Sequence, residues 1–117
     1  MIRNLTPHPV RIMLDEPWPI DSPLPADMVQ EEFPPAGPPA RLAMVDLGRQ
    51  NDGTAVYQLV EFGHVHDLPE PEHGVWFIVS LPVALACRGR SDLLVPYQEV
   101  RNHEGTVIGC RSLARPA

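Results

Sequence analysis

The chain has 117 residues, room for one domain and no second independent core. Fifteen prolines exclude a long helical bundle or coiled coil, two cysteines exclude a disulfide scaffold, and a 44% hydrophobic share excludes a disordered chain. Nine basic residues against fifteen acidic ones give a net charge of −6, which excludes a general nucleic-acid binder, because that needs a basic face to displace counterions.

In chain order, Met1-Ile2-Arg3-Asn4 has no apolar signal-peptide core, and no run reaches the roughly 18 apolar residues of a membrane span. The expectation is a cytoplasmic protein with no membrane contact, in which Cys87 and Cys110 stay reduced. All nine basic residues are arginine, which points to a GC-rich host genome. Val10 to Leu14 reads as a strand. Ten of the fifteen prolines fall in residues 1–39. Proline fixes φ and lacks a donor, so residues 15–40 read as a proline-rich excursion with no regular helix or central strand. Trp18 within it reads as an aromatic that packs on the sheet or on a neighbouring subunit.

Beyond the excursion the pattern turns to β. Arg41–Leu47 and Thr54–Phe62 flank Asn51-Asp52-Gly53, a strong hairpin signal. Val75–Val79 is a continuous apolar run and reads as the most buried strand. Ser80 reads as a helix N-cap, Pro82 as a first-turn residue and Gly89 as the C′ residue of a two-turn helix, with Arg88 in the last turn. Leu93–Val95 reads as a short strand ending at Pro96. Tyr97–Asn102 and Thr106–Leu113 read as a final hairpin around His103-Glu104-Gly105.

The sum is one domain over 1–117, mainly β (α+β). It is a small curled antiparallel sheet or partly open barrel of six or seven strands with one short helix. Set beside the long excursion the core is small, so a homo-oligomer is expected.

Asn4-Leu5-Thr6-Pro7-His8-Pro9-Val10 is a distinctive opening. So are Phe33-Pro34-Pro35-Ala36-Gly37, Leu68-Pro69-Glu70-Pro71 and Gly105-Thr106-Val107-Ile108-Gly109-Cys110-Arg111. Together these resemble a family of small actinobacterial and phage proteins that open with Asn-Leu-Thr-Pro-His. The resemblance covers nearly the whole chain. It implies a phage or prophage accessory protein acting in the host cytoplasm, and it brings no activity with it. Residues 16–30 are longer and richer in proline than that pattern. His64 and His66 stand where the pattern has glutamates.

Three sets of residues carry candidate chemistry. His8, held between Pro7 and Pro9, reads either as a ligand-binding or acid/base histidine or as part of a turn built by Asn4 and Thr6. His64 and His66 lie two apart, so on a strand both would share a face and could ligate one metal ion, loosely resembling the first motif of cupins. Arg88, Arg90, Ser91 and Asp92, with Arg101 and Arg111, read as an anion site, because guanidinium forks suit phosphate or carboxylate. The alternative for these is surface ion pairing.

No Gly-x-Ser-x-Gly, phosphate loop or dinucleotide fingerprint is present in the sequence, so the reading leans away from an enzyme. The expected function is a non-enzymatic small-molecule-binding protein, a homo-oligomer that captures a small anionic, nucleotide-type ligand. In a phage it would serve as an anti-defence sponge that sequesters a host nucleotide signal. It would need no cofactor, a metal at His64 and His66 aside. The alternatives are a metal-dependent cupin-like enzyme and a partner-binding phage accessory protein.

Overall fold

A computed structural model describes residues 1–14 and 26–117. Trp18 and residues 15–25 of the excursion lie outside the described residues. Eight strands and one short helix are found among the described residues: β1 (Ile2–Asn4), β2 (Val10–Met13), β3 (Val29–Phe33), β4 (Arg41–Asn51), β5 (Val56–His66), β6 (Trp76–Ile78), α1 (Leu81–Ala86), β7 (Leu93–Arg101) and β8 (Val107–Ala114). The fold is mainly β, as the sequence pattern implies.

Six strands form one mixed sheet in the order β1-β6-β7-β8-β2-β3. β1 runs parallel to β6, β6 to β7 and β2 to β8, while β7–β8 and β2–β3 are antiparallel. The sheet curls until its ends nearly meet. Asn4, at the end of β1, makes a parallel bridge to Pro35, just past β3. The Ala36 amide donates to the Asn4 carbonyl at 2.8 Å. The result is a nearly closed barrel.

Apolar residues on the strands explain the curl. Val10, Ile78 and Cys110 are buried together, with Ile2, Ile12, Phe33 and Leu113 packed against them. Five strands converge on this one cluster, as they do on the concave side of a curled sheet. A second cluster of Leu5, Phe77, Val79, Val83, Leu93 and Val95 lies under α1. Phe77, Ile78 and Val79 are fully buried, so Val75–Val79 is the most buried strand of the sequence reading. The helix follows at Leu81–Ala86, with Ser80 at the N-cap position and Pro82 in the first turn. Gly89 is not among the positive-φ glycines; the helix ends on Cys87 instead, whose amide donates to Val83 and Ala84.

Other boundaries differ from the sequence reading: β4 runs on to Asn51 rather than ending at Leu47, and β5 spans Val56–His66 rather than Thr54–Phe62. β7 runs straight through Pro96, which pairs with Leu113, so Leu93–Val95 and Tyr97–Arg101 are one strand. Within residues 15–40, Val29–Phe33 joins the sheet as β3. It is an edge strand, the one position where a proline-flanked segment fits a sheet.

β4 and β5 form a separate two-stranded sheet. Each strand has 11 residues, so the arm is about 36 Å long. Its base packs on the cluster under α1 through Leu42 and Val65. The rest is exposed, and the radius of gyration is 17.2 Å against about 13 Å for a compact domain of this length.

Candidate functional site

The Asn-Leu-Thr-Pro-His opening is built around Asn4, which is 1% exposed. Its Nδ2 donates to the carbonyls of His8 at 2.7 Å and Phe33 at 2.8 Å. Its Oδ1 accepts from the Thr6 amide at 2.9 Å and the Thr6 hydroxyl at 2.7 Å. Every donor and acceptor position of the amide is used. The Thr6 hydroxyl also reaches the His8 carbonyl at 3.0 Å. Asn4, Thr6 and the His8 backbone therefore fix one turn and tie β1 to the end of β3. That turn presents the exposed His8 ring outward.

His8 borders a cleft of about 450 Å³. β2 and β8 share one pairing, Ile12 with Cys110, and the cleft lies on the N-terminal side of it. Val10, Pro96, Val107 and Ile108 supply apolar walls; His8, Arg11 and Glu99 supply polar groups. Arg11 stands directly across from Glu32 on β3, and its Nε donates to Glu32 Oε1 at 2.7 Å. Its Nη1 and Nη2 make no hydrogen bond among the described residues. Glu99 is occupied by Arg101, Nη2 to Oε2 at 3.0 Å. The Cys110 thiol donates to the Arg11 carbonyl at 3.6 Å, and burial pushes its pKa up, so the sulfur is held as a neutral thiol.

The arginines singled out in the sequence are not gathered together. Arg90 forms a fork with Asp92, Nε to Oδ1 and Nη2 to Oδ2, both at 2.8 Å, and also donates to the Pro69 carbonyl at 3.0 Å. Those bonds hold the Asp92 carboxyl below its usual range and raise the Arg90 pKa. The pair pins the loop before β6 to the start of β7. Ser91 and Asp92 border a shallower hollow of about 340 Å³ with His73 and Trp76, while Arg88 is exposed just past α1. Arg101 closes the last hairpin by donating to the Gly105 carbonyl at 2.7 Å. Arg111 reaches across β2 to the Leu14 carbonyl. Arg101 pairs with Val107, four residues before Arg111, so the two lie about 13 Å apart along the sheet.

His64 and His66 are exposed on β5, with His66 opposite Arg41. No group of three or more metal-ligating side chains occurs among the described residues. No helix of the described residues is long and apolar enough to cross a membrane. Arg11 and Glu99 are absent from the sequence-derived set. The signal for Arg11 was present: a lone charge inside Val-Arg-Ile-Met, two residues beyond Pro9. The chain matches no family model, no curated protein and no solved structure.

Proposed function

We propose that the protein is a binding protein that captures a small phosphate-bearing ligand of nucleotide type in the cleft between β2 and β8. The observation that carries this reading is Arg11, which lines an apolar-walled cleft and whose Nη1 and Nη2 make no hydrogen bond among the described residues. A volume of about 450 Å³ falls in the range of small-molecule sites, roughly 300–1,000 Å³. Val107, Ile108, Val10 and Pro96 suit a flat apolar body such as a base. The Arg11 fork suits phosphate oxygens, and the His8 ring adds a second donor beside it.

Capture without turnover fits the chemistry of the cleft. Its one sulfur is a buried thiol of raised pKa, a poor nucleophile. Its carboxylate, Glu99, is engaged by Arg101. Sequestration of a nucleotide signal by a phage-type accessory protein agrees with both the resemblance and the cleft.

Isothermal titration calorimetry with a panel of nucleoside mono-, di- and cyclic phosphates tests the reading. Arg11→Ala should weaken the best binder ~10–100-fold, the worth of one charge-assisted contact. Arg88→Ala, remote from the cleft, should leave affinity unchanged. Absence of heat with every nucleotide, or an Arg11→Ala affinity equal to wild type, removes the proposal.

A further inference from the structure

The β4–β5 arm has the surface of a strand pair covered by another protein. A two-stranded hairpin is marginal on its own in water. Here it exposes Met44, Val45, Leu47, Val56, Tyr57, Leu59 and Phe62, each by 44% or more. Opposed residues share a face, and β5 is regular from Val56 to Phe62. One face therefore carries four rungs from base to tip: Met44 with Phe62, Asp46 with Val60, Arg49 with Gln58, and Asn51 with Val56. The hydrogen bonds from Gln58 Nε2 to both Asp46 oxygens, at 3.1 and 3.0 Å, confirm that these side chains lie on one side. At the base, this face runs into a groove of about 560 Å³ lined by Leu42, Met44, Phe62 and Pro82.

We infer that this face packs on the same face of a second copy, the two arms antiparallel about a twofold axis. Three observations select that occupant. Reversing the four rungs about an axis between the second and third places Asp46 opposite the partner's Arg49, twice over. Arg49 makes no hydrogen bond or ion pair among the described residues. The same reversal lays the Val56 tip of each arm on the Met44–Phe62 groove of the other. On the opposite face Glu61 stands across from Val45, beside Tyr57 and Leu59, and the cation of that face, Arg41, lies at the base across from His66. The inference is independent of the cleft.

Light scattering during size-exclusion chromatography tests it on the full chain. Wild type at tens of micromolar should elute with twice the 13.0 kDa chain mass. Phe62→Asp should elute as a monomer with an unchanged near-ultraviolet spectrum, because Phe62 is 62% exposed and outside the core. Arg49→Asp should weaken the dimer at least tenfold, and the double exchange Asp46→Arg with Arg49→Asp should restore it. A wild-type monomer overturns the inference, and so does a dimer indifferent to Phe62→Asp or a double exchange no tighter than Arg49→Asp. Nucleotide titration of Phe62→Asp keeps the readings apart, since loss of dimerisation with retained binding leaves the cleft standing.

Discussion

Replacing Asn4 by alanine should unfasten the barrel where its two ends meet. The amide makes four hydrogen bonds in a site that is 1% exposed. The His8 carbonyl would keep the Thr6 hydroxyl, but the Phe33 carbonyl and the Thr6 amide would lose their bonds to the side chain. Each such loss costs about 1–3 kcal/mol, so Asn4→Ala should destabilise by about 3–4 kcal/mol. In a domain whose whole stability is about 5–15 kcal/mol, that lowers the melting temperature by roughly 10–20 °C. Thr6→Val removes one hydroxyl and leaves the amide contact, so it should cost about 1 kcal/mol. Asn4→Asp keeps the acceptor but turns an oxygen toward two carbonyls. The introduced carboxyl should have a raised folded-state pKa, so this variant should gain stability as the pH falls. Thermal and urea unfolding followed by circular dichroism measures all three. An Asn4→Ala loss below about 1 kcal/mol, or one no larger than that of Thr6→Val, would refute the reasoning.

Other expectations follow from single sites. A Cβ at Gly109 would lie 2.5 Å from Met13 Cγ and 2.8 Å from the Arg11 carbonyl oxygen, and backbone cannot move aside cheaply. Gly109→Ala should therefore cost about 1–3 kcal/mol in urea unfolding, and a neutral result would mean that β2 and β8 separate easily. The Arg90–Asp92 fork is 20% and 15% exposed, and Arg90→Ala should cost about 1–2 kcal/mol and speed amide exchange around Pro69. Because Arg90 holds the Asp92 carboxyl below its unfolded value near 4, this contribution is present above that pH and lost as the pH falls through the lower folded value. An acid-unfolding curve of Arg90→Ala that overlays wild type would contradict that. Iodoacetamide at pH 8 should label Cys87 in the native protein and reach Cys110 only after unfolding, with peptide mapping as the readout.

The local elements were readable from the sequence. Asn51-Asp52-Gly53 placed the arm hairpin, Val75–Val79 placed the buried strand, and Gly105, at φ 84°, turns the last hairpin. What escaped was set by distant partners. Ile2–Asn4 is three residues long and becomes a strand only because Trp76–Ile78 lies beside it. Val29–Phe33 alternates poorly and pairs with β2 from the edge. Pro96 looked like a strand end, yet its missing amide is tolerated within β7. The site was harder still. Arg90, Arg101 and Arg111 have the right side chains for an anion, but their hydrogen bonds go to Asp92, Glu99 and backbone carbonyls. Arg11 differs only in how much of its fork is spent, and no spacing rule reveals that.

The strand order also dictates the sequence of events in folding. Ile2 pairs with Trp76 and Ile12 with Cys110, so the barrel joins parts of the chain made far apart in time during synthesis. Loops of that length make closure slow compared with a hairpin, which forms in roughly 1–10 μs. Both strands of the arm exist once His66 is made, whereas β2 must wait for Cys110. A nascent chain therefore shows its apolar arm before it owns a barrel. On neighbouring ribosomes of one message, two such arms could meet while both barrels are still open.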